Sequence, residues 1–407
     1  MKNDNSKFKI LCRDAKSCVS TLALLTLFLL PIYLIKIKLG WISFNALEIL
    51  IGLLFVVWIF NKEKKHLILH KKYSLPVALI FVGLISSVIA NKNFYTGLGA
   101  IKGWFIVPII FAIVFYDALK KDESLLKKSL LVLFFSGVVV SAIGIAYKFL
   151  GIMTYDNRLK IFWDSPNQLA MFLAVPFLIG MYCIVSRRNP GAPPRFRLGL
   201  GILLITTNLY LTKSYGAWLA LTIALAVIFW LKYGKIVQKK YLAIFAIILI
   251  IFLAWASIYK YKSIANLGER SSLASREMIW KSAGLMIENN PLFGIGPENF
   301  QEKYLEYQKY FPPYLEWSAP QPHDIFLAFW LESGMVGLIG FLILLFYFFR
   351  DNKIAIQANR DLGILFLAIM TYILIHGLID TTYWRNDLAV VFWVVVSANF
   401  FLSEKNS

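Results

Sequence analysis

The chain has 407 residues, of which 59% are hydrophobic and only 16% are charged. Soluble domains carry roughly 25% charged residues, and the apolar runs here are about 18 to 25 residues long, enough to cross a hydrocarbon core. These figures exclude a soluble globular domain. The net charge of +19 does not predict nucleic-acid binding, because the basic residues lie between the apolar runs rather than on one face.

The pattern predicts an all-α polytopic membrane protein in which residues 1–407 form one integral membrane domain. A β-barrel would need short segments of alternating hydrophobicity, and the sequence has none. We predict about twelve transmembrane helices, at 18–36, 41–60, 74–90, 101–118, 128–150, 168–186, 198–212, 214–231, 241–260, 324–349, 361–378 and 386–403.

The distribution of Lys and Arg predicts the orientation of these helices. If the N-terminus is cytoplasmic, every cytoplasmic segment is basic, and these segments hold 26 of the 42 Lys and Arg residues. Cytoplasmic loops carry such an excess in membrane proteins. Both termini are therefore predicted to be cytoplasmic.

A polar segment of about sixty residues, 261–322, interrupts the apolar pattern on the predicted extracytoplasmic side. Within it, SSLASREMIWKSAGLMIENNP has helical periodicity and is stopped by Asn289, Asn290 and Pro291. A glycine-rich turn and a second helical stretch, QEKYLEYQKYF, follow. Aromatic residues and balanced charge throughout the segment predict a folded, partly helical loop.

Two residues of this loop are the candidate catalytic residues. Arg276 lies near the start of the first loop helix, where a guanidinium can bind a phosphate or diphosphate. His323 lies where the loop re-enters the membrane, and its ordinary pKa of about 6.5 suits a general base. The alternatives are a solvated arginine on an amphipathic helix and an interfacial histidine that contacts lipid headgroups.

Further polar groups on the same predicted face are candidate substrate-binding residues. Each is weak evidence alone, because charged residues at helix ends often only extend toward the headgroups. The acid Glu332 lies inside an apolar run, and a packing role against an arginine or a backbone amide is its simpler interpretation. Asp324 is predicted to be a helix N-cap. The candidate residues are Arg158, Asn167, Lys213, Trp280, Glu332, His376 and Asp380.

No metal or nucleotide site is predicted. The sequence has no cluster of metal ligands at a recognised spacing, and the Gly-Ile-Gly at Gly294 lacks the strand and the lysine of a phosphate-binding loop. We therefore expect no cofactor, and an enzyme on the outer face would need a pre-activated donor.

The segments SREMIWKSAGLMIENNPLFGIGPENF and HDIFLAFWLESGMVGLIGF resemble the O-antigen ligase and polymerase superfamily. That superfamily has an Arg-x-x-x-Trp helix, then Pro-Leu-x-Gly-x-Gly, His-Asn-x-x-Leu and Glu-x-Gly-x-x-Gly-Leu. The resemblance covers about residues 150–385. The matching residues are Arg276, Trp280, Pro291, Leu292, Gly294, Gly296, His323, Leu327, Glu332, Gly334, Gly337 and Leu338.

The chain departs from this pattern at two positions. Asp324 stands where the family usually has asparagine, and Tyr215 stands where it often has a functional arginine. Tyrosine cannot replace a guanidinium, so either Lys213 or Arg158 is expected to supply the missing charge.

The resemblance implies a glycosyltransferase of the GT-C type in the bacterial cytoplasmic (inner) membrane. It would transfer a glycan from undecaprenyl pyrophosphate to an acceptor hydroxyl on a glycan or glycolipid, without a metal and with inversion. Arg276 would stabilise the leaving diphosphate and His323 would act as the base.

Several alternatives stay open at this stage. Within the family, the chain could be a ligase acting on lipid A-core, a surface-polysaccharide polymerase or a protein glycosyltransferase. From another class, a lipid-linked glycan flippase or transporter also fits twelve helices, although no internal repeat is found.

Overall fold

The computed structural model describes residues 18–39, 42–61, 71–185, 195–233, 272–312 and 318–405. The predicted all-α class is confirmed, and one short β-hairpin accompanies the helices. The helices are α1 Cys18–Phe28, α2 Ala46–Phe60, α3 Lys71–Asn91, α4 Phe94–Ile101, α5 Val107–Lys121, α6 Ser124–Phe149, α7 Pro166–Val185, α8 Arg195–Leu211, α9 Tyr215–Tyr233, α10 Ser272–Asn289, α11 Phe300–Tyr307, α12 Ile325–Ala358, α13 Arg360–Gly377 and α14 Asn386–Ser403.

Eight of the described helices are long and apolar enough to cross a membrane: α3, α4 with α5, α6, α7, α9, α12, α13 and α14. A π-helical turn, Lys102–Ile106, joins α4 to α5 in one continuous helix. The shorter α1, α2 and α8 coincide with three further predicted segments, while the predicted span 241–260 lies outside the described residues. The chain is thus an integral membrane protein.

The first two predicted spans, 18–36 and 41–60, are too long. The helix α1 ends at Phe28, and Pro31, which has no backbone N–H, lies in the 3₁₀ turn Leu30–Leu34 that follows. The chain then forms an antiparallel hairpin of β1 (Lys36–Leu39) and β2 (Ile42–Asn45).

A capping box sets the start of α2. The Asn45 side chain accepts a hydrogen bond from the Glu48 backbone N–H at 2.9 Å, and the Glu48 carboxylate accepts one from the Asn45 N–H at 3.3 Å. These bonds satisfy helix-end donors, so the helix begins five residues later than hydropathy alone predicts.

Polar pairs mark one end of the helix bundle. Asp351 near the end of α12 binds Lys72 and Tyr73 at the start of α3, both at 2.7 Å. Lys232 at the end of α9 pairs with Asp361 at the start of α13 at 3.0 Å. The starts of α7, α9, α12 and α14 lie together at the opposite end, where Arg385 donates to the Gln168 carbonyl, Gly216 lies beside His376 and His323 contacts Asp380.

The loop helices α10 and α11 enclose a small apolar core against α12. Ile279 and Met286 from α10, Phe300 and Tyr304 from α11, and Leu331 from α12 are all buried in it. As predicted, α10 ends at Asn289, before Pro291. The described part of the polar segment is therefore folded, as its aromatic content predicts.

The turn after α10 is hydrogen-bonded into a break in α12. The Leu331 carbonyl accepts from the N–H groups of Ile295, at 2.7 Å, and Gly296, at 3.3 Å. In return, the Met335 N–H donates to the Leu292 carbonyl at 3.1 Å. These bonds satisfy backbone groups that the broken helix would leave unpaired in an apolar setting.

Two glycines make this interlock possible. Gly294, with φ +66°, and Gly334, with φ +64°, both have left-handed backbone conformations. A Cβ on Gly294 would lie 2.2 Å from the Leu331 carbonyl oxygen, and a Cβ on Gly334 would lie 2.2 Å from the Leu292 carbonyl oxygen. The Pro-Leu-x-Gly-x-Gly and Glu-x-Gly motifs thus form one structural unit.

We predict that Gly294→Ala lowers the melting temperature of the purified protein. The left-handed backbone costs a residue with a Cβ about 1–2 kcal/mol, and the contact with the Leu331 carbonyl forces a further shift. Gly284→Ala is the matched control, because that helical glycine of α10 has open space around it. The control is expected to melt at or above the wild-type temperature, and equal melting of both variants would contradict the interlock.

Candidate active site

The Asp380 carboxylate connects three separate segments of the chain. His323 Nδ1 lies 3.0 Å from Asp380 Oδ1, and the Asn167 amide donates to Asp380 Oδ2 at 3.1 Å. Arg276 Nη2 lies 3.9 Å from the same Oδ2 atom. A loop after α13, the start of α7, the loop helix α10 and the residue before α12 therefore meet at one carboxylate.

His323 is held in an unusual backbone conformation at the entrance to α12. Its φ of +52° is uncommon for a residue with a side chain. The Trp280 indole donates to the His323 carbonyl at 3.4 Å, and the Asp324 carboxylate caps α12 by accepting from Phe326 and Leu327 at 2.8 Å each. The predicted N-cap is confirmed, and these contacts direct the imidazole toward Asp380.

Arg276 lies on the second turn of α10 and is fixed by the loop that carries Asp380. Its Nε donates to the Ile379 carbonyl at 2.7 Å. Trp280, one helical turn further along, lies on the same side of α10 and contacts His323. The Arg-x-x-x-Trp spacing thus places one guanidinium and one indole side by side above the start of α12.

Arg158 reaches the same cluster through Asn167. Its Nη2 donates to the Asn167 side-chain oxygen at 2.8 Å, and its Nε donates to the Thr212 carbonyl at 2.7 Å. Asn167 in turn donates to Asp380. A continuous set of hydrogen bonds therefore runs from Arg158 through Asn167 and Asp380 to His323.

The cluster favours the charged form of its acid. Burial raises the pKa of the Asp380 carboxyl, but the nearby His323, His376 and Arg276 outweigh this effect and hold the pKa well below its ordinary value. Burial lowers the pKa of the Arg158 guanidinium, and Arg276 lowers it further while Asp156 opposes the change. The two guanidiniums therefore share one electrostatic environment.

The cations of the cluster are more accessible than its acid. The side chains of His323 and Arg158 are 28% and 25% exposed, whereas Asp380 is only 5% exposed. A ligand that approached this surface would meet the imidazole and guanidinium groups first. The arrangement suits an anionic ligand, with Asp380 as an internal support.

Three of the predicted site residues lie outside this hydrogen-bonded cluster. Lys213 is exposed, and its Nζ lies 3.4 Å from the Asp156 carbonyl. His376 is 1% exposed and has Nδ1 at 2.8 Å from the Tyr372 hydroxyl, so it supports the cluster from within the bundle.

Glu332, the third, lies at the break in α12. It is 1% exposed, and its carboxylate lies near the backbone of Glu298, while its Oε2 atom has no hydrogen-bond partner among the described residues. Glu332 is thus associated with the turn after α10 and not with His323.

Tyr215 occupies the expected arginine position at the start of α9. Its side chain is 56% exposed and packs edge-on against Trp218, with 5.3 Å between the ring centroids. Arg158, which bonds to the α8–α9 turn through Thr212, is the nearer source of a second guanidinium. Of the two expected substitutes, Arg158 therefore joins the cluster and Lys213 does not.

Two supporting residues were not among the predicted site residues. The Thr381 backbone N–H donates to Asp380 Oδ1 at 2.9 Å, and the Thr381 hydroxyl bonds to Gln321. Gln321 also donates to the Trp384 carbonyl at 3.1 Å. The polar run HGLIDTTYWRND was a signal for this loop, but no periodicity in it indicates which side chain faces His323.

Among the described residues, no group of three His, Cys, Asp or Glu side chains converges as metal ligands. The groups available to an incoming ligand are two guanidiniums and one imidazole. These can bind phosphate oxygens and accept or donate a proton near neutral pH.

A family model described as O-antigen ligase matches residues 200–342. The matched region contains Arg276, Trp280, His323 and the interlocked turn, whereas Arg158, Asn167 and Asp380 lie outside it. No curated protein matches the chain.

We predict that Asp380→Asn lowers the stability of the protein by on the order of 2 kcal/mol near neutral pH, because the charged acid holds several donors. The pKa of Asp380 is lower in the folded protein than in the unfolded chain, so its contribution is complete above the unfolded value of about 3.9 and is lost as the pH falls through the folded value. The melting temperature of the variant should lie below that of the wild type throughout the range of about pH 5 to 8.

The same comparison at lower pH tests the sign of this effect. The difference in melting temperature should shrink below about pH 4. Asp156→Asn is the control, since that acid is 39% exposed and lies 3.8 Å from Arg158; little change is expected. A difference that grows in acid would contradict the assignment of Asp380 as the ionised centre of the cluster.

Proposed function

We propose that this chain, whose residues 200–342 match a family model described as O-antigen ligase, is a membrane enzyme of that ligase and polymerase type and transfers a glycan from a polyprenyl diphosphate to an acceptor hydroxyl. The observation that carries the proposal is the meeting of Arg276 and His323 at Asp380, with Arg158 joined to them through Asn167. A transferase of this type needs charge stabilisation for a leaving diphosphate and a base for a hydroxyl.

Arg276 and Arg158 bind the diphosphate in this proposal. Each is oriented by a backbone carbonyl at 2.7 Å, Ile379 for Arg276 and Thr212 for Arg158, which presents the guanidinium edge in a fixed direction. Burial, and to a smaller extent Arg276, lower the pKa of the Arg158 guanidinium, and an anion bound between the two cations would favour their charged forms. Negative charge that develops on the leaving group is therefore stabilised without reorganisation of the site.

His323 is the general base. Its Nδ1 donates to Asp380, which fixes the tautomer and leaves the lone pair of Nε2 to accept a proton. Asp380 also favours the imidazolium that forms during the reaction. Asp380, Asn167 and Trp280 act as positioning residues, because they hold the base and the cations rather than touching the reacting atoms.

The reaction is a single displacement at the anomeric carbon. The acceptor oxygen forms a bond to that carbon while the carbon–oxygen bond to the diphosphate breaks. The hydroxyl proton passes to His323 Nε2, and the bonding electrons leave with the polyprenyl diphosphate. Attack from the face opposite the leaving group inverts the anomeric configuration, and no step is assigned to a metal.

The proposal extends to the setting of the reaction. The donor carrier is undecaprenyl, the acceptor is a glycan or glycolipid such as a lipid A-core or a growing polysaccharide, and the membrane is the bacterial cytoplasmic membrane. Both termini face the cytoplasm, in a GT-C-like arrangement of about twelve helices. The Asp380 end of the bundle, with the 261–322 loop, faces outward, which agrees with the basic segments at the other end.

We predict that His323→Ala reduces kcat for glycan transfer by about 10²- to 10⁴-fold, the range expected for loss of a general base. Arg276→Ala should reduce kcat by about 10²- to 10³-fold, as removal of one charge-stabilising donor does. The measurement is transfer from a synthetic polyprenyl-diphosphate-linked glycan to an acceptor glycan by purified protein in nanodiscs.

Arg276→Lys and an EDTA-treated wild type complete this comparison. Lysine keeps the charge but cannot span two phosphate oxygens, so partial recovery is expected, while EDTA should have no effect. Full activity of both alanine variants would overturn the proposal. Movement of the lipid-linked glycan across liposomes without any transfer would favour a flippase instead.

We predict that Arg158, and not Lys213, supplies the second cation. Arg158→Gln should reduce kcat over KM for the donor by about 10- to 100-fold, in the range for one charge-assisted contact. Lys213→Gln, which removes the same charge from the exposed turn, should change it by less than about threefold. The reverse order of effects would assign the family's arginine role to Lys213.

A further inference from the structure

A separate cleft lies between the end of α10 and the segment after α11. It has a volume of about 470 Å³, within the range of ~300–1,000 Å³ that is typical of small-molecule sites. Its lining residues are Leu285, Asn289, Glu306, Tyr307, Lys309 and Tyr310. None of these residues belongs to the Asp380 cluster.

The lining combines aromatic surface with polar groups at its edge. The Tyr310 side chain is 59% exposed, and its ring lies edge-on to Tyr307 with 6.3 Å between the centroids. The Asn289 amide donates to the Tyr307 hydroxyl at 3.0 Å, which holds that ring upright in the cleft. Aromatic faces with amide and hydroxyl groups beside them suit a ligand with apolar C–H faces and many hydroxyls.

The charges of the cleft cancel, which distinguishes it from the Asp380 cluster. Glu306 lies 3.0 Å from the Lys303 ammonium, and Lys309 lies 5.1 Å from the centre of the Tyr310 ring. A phosphate or an anionic lipid headgroup would gain little here, because each cation has a partner of opposite charge or an aromatic face. The lining favours an uncharged, hydroxyl-rich ligand.

The helix α10 connects this cleft to the site of transfer. Arg276 and Asn289 lie on the same helix and are separated by 13 residues, or roughly 20 Å at 1.5 Å per residue. A saccharide chain several units long can therefore reach from one to the other along the loop. Because both residues lie on one continuous helix, the distance between them is fixed.

We propose that this cleft binds a distal saccharide unit of the glycan that is being transferred or extended. The inference rests on the proposed function, and it adds a second contact remote from the reacting bond. Such a contact favours long glycans over single units, because two tethered contacts bind more tightly than either alone. The cleft is a length-sensing subsite, and Tyr310 is its principal contact residue.

The first test measures binding without transfer. The probe is the glycan released by mild acid from the polyprenyl-diphosphate pool of the source cells and sorted by length. The full-length protein in nanodiscs should bind long fractions, Tyr310→Phe should bind them equally, and Tyr310→Ala should bind them about tenfold more weakly. Tyr95→Ala, which alters another tyrosine that is 79% exposed, is the control and should bind like the wild type.

The second test uses transfer with donors and acceptors of different lengths. Tyr310→Ala should raise KM about tenfold for the long glycan, leave its kcat unchanged and leave transfer of a single-unit donor unaffected. A change confined to long donors places the donor glycan in the cleft, and a change confined to long acceptors places the acceptor there. His323→Ala should lose transfer but retain binding of the released glycan.

The outcomes separate the cleft from the reaction. If the protein transfers no glycan but still binds it in a Tyr310-dependent way, the proposed function is wrong and the glycan-binding role of the cleft stands. Equal binding and equal length preference in Tyr310→Ala and the wild type would overturn the cleft. The glycan-binding role of the cleft would also be overturned if Tyr310→Ala weakened binding of phosphatidylglycerol in nanodiscs while glycan binding stayed unchanged. That result would assign the surface to lipid.

Discussion

The buried carboxylate of Asp380 is the interaction on which this end of the helix bundle depends, because it needs hydrogen-bond donors or cations around it. An ionised acid with 5% exposure is costly unless donors surround it. The imidazole of His323, the amide of Asn167 and a backbone N–H satisfy it, and the Arg276 guanidinium adds a nearby positive charge. Because these groups come from separate segments, the same interaction that stabilises the acid also brings the guanidinium and the imidazole together. Folding of this end of the bundle and preorganisation of the site are therefore one event.

Much of this arrangement is predictable from the sequence, because helices in a membrane are specified by length and hydropathy. Asp324 as the cap of α12, the end of α10 before Pro291 and the turn at Gly294 all follow from local rules on caps and glycines. Arg276 and His323 are identified as candidates by their chemistry and by the resemblance of their motifs.

The remaining features depend on tertiary contacts that no local pattern encodes. The hairpin at residues 36–45 replaces helix where Pro31 and the Asn45 cap outweigh hydropathy. Asp380 pairs with His323, 57 positions away, and no local pattern indicates this contact. Glu332 and Lys213 have the same residue types as functional groups, but their backbone positions direct them to other partners. Side-chain chemistry alone does not indicate whether Arg158 or Lys213 joins the Asp380 cluster.

The break in α12 carries a consequence for how the loop can evolve. Leu331 and Met335 form backbone hydrogen bonds with Leu292, Ile295 and Gly296. The loop and the membrane helix are therefore hydrogen-bonded to each other through their backbones, as adjacent strands of a sheet are. Neither part has complete backbone bonding when the other is removed. An excised loop would therefore not fold as an independent module, and a helix bundle without the loop would have unpaired backbone groups at the break in α12. Chimeras between related proteins should be functional only when the turn after α10 and the break in α12 come from the same parent.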